Sequence, residues 1–202
     1  MKKSDIVISF LIGEIVALYF ISFLKDIPFF QTGITALVLK SLPIVFPLLS
    51  VFCLWIAYLI GKKILFVFQL AKFCLIGALA TIFDLGTLAL FISLTSTASG
   101  LGYSFFKGVS FIIATIAKYF ADKFWAFEKK ETHNMTKEFT QFFIVTIIGL
   151  AINVGAASFI VNQIGPQFGL PSNAWANIGG IGAVFITFIW NFIGYKFIVF
   201  KK

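Results

Sequence analysis

Apolar residues run along this chain in long stretches, at approximately 6–24, 34–60, 65–94, 103–127, 139–162 and 174–200, separated by short polar breaks. A helix that crosses a bilayer needs about 20 predominantly apolar residues. The pattern therefore predicts an all-α integral membrane protein of six transmembrane helices. The longest polar stretch, Glu128 to Glu138, is expected to be a loop. Composition supports this reading: 60% of the 202 residues are hydrophobic, 12% are charged, and the mean hydropathy is +1.02. No soluble core of this size hides so much apolar surface. With nearly all of the chain assigned to the bilayer there is no room for a soluble catalytic domain, and the chain is read as a non-enzyme.

Charge adds an orientation. The 16 basic residues are all lysine. If the N-terminus is inside, most of them fall in cytoplasmic segments or helix ends, including Lys2, Lys3, Lys62, Lys63, Lys129, Lys130, Lys137, Lys201 and Lys202. The outer loops keep only Lys25. That bias follows the positive-inside rule and puts both termini of a multi-pass cell-membrane protein in the cytoplasm. The net charge of +8 then reads as topology and contact with anionic lipid headgroups, not as nucleic-acid binding. Trp55, Trp125 and Tyr195 near inner helix ends, with Tyr103 and Trp175 near outer ones, suit an interfacial aromatic belt.

Several features resemble sites without pointing to one. Lys2 and Lys3 before an apolar stretch imitate a signal peptide, but Glu14 interrupts the stretch and no small-residue cleavage motif follows, so the first helix is expected to be retained. Cys53 and Cys74 are expected to be free buried thiols, and His133 a lone solvated imidazole. The sequon at Asn134 falls on the inner side and is expected to be silent. No metal-ligand spacing, phosphate loop, cofactor motif or catalytic nucleophile is present, so no catalytic, metal or cofactor residues are assigned.

An internal repeat carries more information. Lys118 to Phe127 (KYFADKFWAF) returns as Asn191 to Phe200 (NFIGYKFIVF), 73 residues on, matching Tyr119 with Phe192, Lys123 with Lys196 and Phe124 with Phe197. Extended backwards at an offset of 69, the match pairs Phe73 with Phe142, Asp84 with Asn153 and Gly86 with Gly155. Each repeat holds two helices, so the repeats are expected to lie parallel in the membrane. Their expected bounds are about 65–130 and 137–202, with residues 1–64 as a separate N-terminal hairpin.

The motifs FCLIGALATIFDLG from Phe73, KFWAFEKK from Lys123, EFTQFFIV from Glu138 and NFIGYKFIVF from Asn191 resemble the GtrA-like family over about residues 65–202. The resemblance implies a four-helix membrane domain. It also implies a role in moving polyprenyl-phosphate-linked monosaccharides, or in otherwise assisting cell-surface polysaccharide and teichoic-acid glycosylation, commonly beside a separate membrane glycosyltransferase. Lys118 and Asp122 stand where the resemblance leads one to expect asparagines, and residues 1–64 are an addition to the four helices.

Depth arithmetic singles out polar positions within the spans. At 1.5 Å per residue, Asp84 lies about 18 Å beyond Lys72 and Lys118 about 14 Å before Phe127, both near the middle of a hydrocarbon layer roughly 30 Å thick. Asn153 and Asn191 take the corresponding levels in the second repeat. A charge at a helix centre costs about 2.5–3.5 kcal/mol on insertion scales. Asp84 and Lys118 are therefore expected to pair, with Lys118–Asp122 one turn apart as the alternative. Together with Asn153 and Asn191 they are candidates for a polar cavity, in which Lys118 meets a lipid phosphate and the amides meet sugar hydroxyls. Lys123 and Lys196 either receive phosphate at the inner leaflet or simply snorkel to the headgroups. Small residues at Gly149, Ala151, Gly155 and Ala156, and at Gly179, Gly180, Gly182 and Ala183, permit close helix approach.

The N-terminal hairpin adds Glu14 and Lys40, with Pro43 and Pro47 expected to kink or disrupt the second helix. Glu14 and Lys40 are expected to pair, the alternative being Glu14 as a proton-coupling carboxylate. Two functions stay open: a translocase for a polyprenyl-phosphate-linked sugar, or a non-catalytic anchor that stabilises a glycosyltransferase. The hairpin is a candidate surface for a homo-oligomer or for that enzyme.

Overall fold

The computed structural model describes residues 1–25, 32–96, 100–167, 169 and 172–201, without the side chains of 23, 100, 101, 103, 104, 107, 157, 161 and 172–181. All regular structure among the described residues is helical. The α-helices are α1 (Lys3–Leu24), α2 (Gly33–Gly61), α3 (Leu65–Thr95), α4 (Gly100–Ala121), α5 (Met135–Ser158) and α6 (Ser172–Gly194). Three of them continue as π-helical turns: α4 into π1 (Asp122–Ala126), α5 into π2 (Phe159–Ile164) and α6 into π3 (Tyr195–Val199). Five helices among the described residues, α1, α2, α3, α5 and the later part of α6, are long and apolar enough to cross a membrane. The chain is thus a multi-pass membrane protein by helix length and hydropathy. The remaining expected span, 103–127, is α4 with π1, and some of its side chains fall outside the described residues. So do the expected outer-belt residues Tyr103 and Trp175 and the close approach at Gly179 and Gly180.

The chain divides into two compact units, Met1–Glu128 and Lys129–Lys202. In the first, α1 and α2 pack antiparallel through small residues. Ser9 and Ala17 of α1 are fully buried, and a Cβ on Gly13 would fall 2.6 Å from the Pro47 Cα and from the Ser50 Oγ. That closeness lets the Ser50 hydroxyl donate to the Ser9 carbonyl at 2.6 Å, with its own-helix Pro47 carbonyl at 2.9 Å. Lipid tails are as apolar as leucine, so bare backbone contact and such hydrogen bonds bind membrane helices where hydrophobic burial cannot. α2 runs as one helix through Pro43 and Pro47, so the expected disruption does not occur. Gly61 then lies against Phe68, with a hypothetical Cβ 2.6 Å from the Phe68 Cβ, and α3 folds back at once. Along α3 and α4 the Phe91 and Phe106 rings stack at 5.4 Å, and Phe73 meets Phe127 at 6.5 Å, setting an antiparallel register.

The second unit is the hairpin of α5 and α6. Phe142 stacks on Tyr195 with centroids 4.2 Å apart and meets Phe200 at 6.2 Å. Thr146 donates its proton to the Phe142 carbonyl at 2.8 Å, so in the 2.6 Å contact between Thr146 Oγ1 and the Tyr195 hydroxyl the tyrosine donates. Tyr195 is therefore a buried core residue, not a member of the interfacial belt. The Trp190 indole donates to the Val145 carbonyl at 3.0 Å. α5 starts at Met135, so the expected loop is shorter than Glu128 to Glu138; Glu138 lies in the first helical turn, where an acid suits the dipole, and pairs with Lys129 at 2.9 Å. Gly149, Gly182 and Ala183 make close or buried contacts, whereas Gly155 has open space around it and Ala151 is exposed.

The two segments aligned at an offset of 73 end alike. π1 and π3 each span five residues, and each is closed by an amide that bonds five residues back: Phe127 to the Asp122 carbonyl at 2.9 Å and Phe200 to the Tyr195 carbonyl at 2.7 Å. A π turn widens the helix and displaces the side chains that follow, which is why such turns concentrate at functional positions.

Candidate functional site

The register of α3 on α4 corrects the expected partners of the first unit. Asp84 accepts from the buried Ser110 hydroxyl at 2.6 Å. Lys118 lies eight residues further along α4, about 12 Å away at helical rise, and its ammonium sits 4.2 Å from the centroid of Phe73, eleven residues before Asp84 on α3. The Asp84–Lys118 pair is thus replaced by Asp84 with Ser110 and by Lys118 with Asp122, one turn on. Asp122, at the first position of π1, is fully buried, and its Oδ1 has no hydrogen-bond partner.

Lys123 does not snorkel: it is fully buried, its ammonium 5.9 Å from the ring centroids of both Tyr119 and Phe124. Lys196 is half-buried in the same relation to Phe192 and Phe197, at 5.9 and 5.7 Å. Both lie near the outer limit of cation–π attraction. In the second unit Asn191 sits over Gly149, where a Cβ would fall 2.4 Å from the Asn191 Oδ1, and that oxygen is buried without a partner. Gln69 Oε1 is the other such side-chain atom among the described residues. Asn153, one turn beyond Gly149, is half-buried and makes no hydrogen bond among the described residues.

The Glu14–Lys40 pair does not form. Ser9 facing Ser50 and Gly13 facing Pro47 set a register in which Lys40 stands beyond the level of Glu14; Lys40 is exposed and Glu14 half-buried. Cys53 and Cys74 are free thiols on outward faces, not buried, and His133 is exposed. Among the described residues no cluster of His, Cys, Asp or Glu could hold a metal ion.

A network that sequence patterning missed ties the N-terminal hairpin to α3 and π1. The Lys72 ammonium, 1% exposed, reaches Asp5 Oδ1 at 2.8 Å, Glu128 Oε1 at 3.1 Å and the Trp125 carbonyl at 3.3 Å, using all three of its protons. The Trp125 indole donates to the same Asp5 oxygen at 3.0 Å, which turns this ring inward from the expected belt. Asp5 Oδ2 takes the Lys2 backbone amide at 2.8 Å, and the Lys2 side chain reaches Glu128 Oε2 at 2.7 Å. Glu128 adopts a left-handed backbone, φ 51°, which L side chains rarely do. That turn aims its carboxylate back at both lysines.

The outer part of this network sets a pH window. Burial raises the Glu128 pKa, but hydrogen bonds from Lys2 and Lys72 outweigh it and hold the group below its ordinary 4.5. The hydrogen bond to Glu128 lifts Lys2 above its ordinary 10.5. A lowered acid stabilises the fold above its ordinary value and loses that contribution as pH falls; a raised base loses its own as pH rises. The thermal midpoint of the detergent-solubilised protein should therefore fall on acidification below about 4.5. In Glu128→Gln that acid limb should be shallower; an identical limb would remove Glu128 from the explanation.

Residues 72–200 match the family model described as GtrA/DPMS, transmembrane domain. No curated protein and no solved structure matches the chain.

Proposed function

Because the chain belongs to the GtrA/DPMS transmembrane domain family, whose model covers residues 72–200, we propose that it is a non-enzymatic translocase for polyprenyl-phosphate-linked monosaccharide in cell-surface polysaccharide glycosylation. The observation that carries this reading is that, among the described residues, a buried oxygen without a partner occurs within each of the two blocks that repeat at an offset of 73, Asp122 Oδ1 in the first and Asn191 Oδ1 in the second. A buried polar atom without a partner calls for an explanation, and an ionisable group inside a membrane is by default a functional-site candidate, which supports the reading. The two hairpins are read as parallel repeats, a reading that the lysine bias supports by favouring both termini in the cytoplasm.

In this reading Lys118 exchanges Asp122 for the lipid phosphate, while Lys123 and Lys196 sit nearer the inner leaflet on its route. Asp84 in the first hairpin, and Asn153 and Asn191 in the second, are the candidate sugar contacts, each within its own unit. Glu14, half-buried and without an ion pair, is the candidate for proton coupling. Reconstituted vesicles given a radiolabelled polyprenyl-phosphate hexose test the assignment. The double variant Lys118→Met with Asp122→Leu removes both charges together, so neither is stranded, and it does not install the asparagines expected from the family resemblance. Transport at least tenfold slower at normal expression is expected, and wild-type transport would exclude the pair. Glu14→Gln in the same vesicles should lose any dependence on a pH gradient, and an unchanged dependence removes Glu14.

A second reading draws on the satisfied contacts. Asp84 with Ser110 and Lys118 with Asp122 are internally mated, as in a chain whose polar groups only specify helix pairing. The protein is then an anchor that stabilises a membrane glycosyltransferase. Transport by the purified chain alone separates the two, since an anchor moves no lipid.

A further inference from the structure

We propose that Asp122 is a proton site coupled to lipid binding: when a lipid phosphate takes Lys118 from it, Asp122 binds one proton from solvent, so that phosphate and proton occupy the site together. The proposal rests on the exchange at Lys118 described above and deepens it by naming the ion that accompanies the lipid. This proton is separate from any carried at Glu14 on α1.

Charge in a dry place carries the argument. Asp122 is fully buried at the first position of π1, and among the described residues Lys118, one turn back, is the sole partner of its side chain. Empty, the pair is neutral. A lipid phosphodiester brings one more negative charge, which Lys118 meets only by giving up Asp122, and the abandoned carboxylate is then a buried anion without a counter-ion. A group in that position neutralises by taking a proton, and one proton restores the neutral total. A pair of asparagines at these positions would make no such demand. Lys118 holds Asp122 Oδ2, while Oδ1 has no partner, so the new O–H bond has a vacant oxygen on which to form. On the facing helix Gln69 Oε1, one turn from Phe73, is likewise buried without a partner. The seam thus holds two spare acceptors, and a proton on Asp122 turns one of them into a donor.

No other described cation stands ready to replace Lys118. π1 packs on α3 and continues α4. On α3, Lys72 is committed to Asp5, Glu128 and the Trp125 carbonyl, Asp84 lies about two turns away with Ser110, and the Cys74 thiol is exposed. Asp5 of α1 is held by Lys72, the Lys2 amide and the Trp125 indole. Along the same helix Tyr119 is buried, and the Lys123 ammonium lies beside the Tyr119 and Phe124 rings without an ion pair to Asp122.

Binding to the full-length protein in detergent tests this, with proton uptake read by a pH-indicator dye in weak buffer. The probe is a short-chain prenyl phosphohexose. Its phosphodiester has a single acidic proton, lost far below neutrality, so a proton taken up near neutral pH belongs to the protein; a bare prenyl phosphate would not serve, because a phosphomonoester itself titrates at about pH 6. Wild type should take up about one proton per lipid bound, and by linkage its affinity should fall about tenfold for each unit from about pH 6 to 8. A prenyl hexoside without phosphate leaves Lys118 on Asp122 and should take up none. Lys118→Met with Asp122→Leu strands no charge, and at saturating phosphohexose it should take up no proton. Uptake that persists in that variant, or that the hexoside matches in wild type, belongs to another group and overturns the assignment. Wild type that binds the phosphohexose without a proton and with constant affinity overturns the coupling and leaves the lipid-linked-sugar reading in place. Wild type that binds neither lipid overturns that reading and the coupling with it.

Discussion

Replacing Lys72 with methionine should destabilise the first unit by about 3–5 kcal/mol, because removing one partner of a buried ion pair strands the other. Asp5 is 2% exposed on its side chain and would keep only the Lys2 backbone amide and the Trp125 indole as donors. The Trp125 carbonyl would lose the donor it has in Lys72. Glu128 is 37% exposed and retains Lys2, so it contributes little to the loss. Against a typical folding stability of about 5–15 kcal/mol such a loss is severe. Two features identify the cause as charge and not volume. Methionine nearly fills the lysine stem's space against Phe68, and the double variant Asp5→Leu with Lys72→Met should recover most of the stability by removing both charges. Unfolding of the purified protein followed by tryptophan fluorescence reads this out. A Lys72→Met midpoint equal to wild type would falsify a structural role for the network. Because Asp5 lies outside residues 72–200, the network also holds the added hairpin to the family domain. Proteolysis within residues 1–64 should accelerate in the single variant and not in the double.

Much of the fold was legible because it depends on short-range statistics. Runs of about 20 apolar residues have few alternatives in a bilayer, and the blocks aligned at Lys118 and Asn191 both end in five-residue π turns, which the alignment by itself did not predict. What patterning could not supply was register. Asp84 and Lys118 were placed at one depth by measuring each helix from its own end. The contacts of Phe73 with Phe127 and of Asp84 with Ser110 set them about two turns apart. Glu14 and Lys40 fail for the same reason, since the α1–α2 register is fixed by Gly13 against Pro47. Lys118–Asp122 was readable as a local i,i+4 pair. Asp5–Lys72–Trp125 was not, because its members come from distant segments and each alone resembles an ordinary helix-end residue. The one available signal was Asp5 itself, an acid among lysines at the head of a span.

Gly13→Ala should lower the stability of the first unit by about 2 kcal/mol, the range expected when a well-packed contact is overfilled. The added Cβ would lie 2.6 Å from the Pro47 Cα, 2.6 Å from the Ser50 Oγ and 2.7 Å from the Phe46 carbonyl oxygen. Two of these three atoms are backbone, so a rotamer change cannot relieve the clash and the helices must move apart. Separation stretches the 2.6 Å bond from Ser50 to the Ser9 carbonyl, the polar link across this interface. Alanine's intrinsic preference for helix over glycine, up to about 1 kcal/mol, acts in the opposite direction and is too small to prevail. Gly86→Ala in α3 isolates that smaller effect, because nothing lies within 4 Å of a Cβ there. The same chemical change should therefore destabilise at position 13 and be neutral or stabilising at position 86. Equal midpoints for the two variants would mean that α1 and α2 do not depend on close contact at Gly13. A larger residue sharpens the contrast: Gly13→Leu should prevent the hairpin from closing, which a cysteine cross-linking assay between α1 and α2 would register as lost yield.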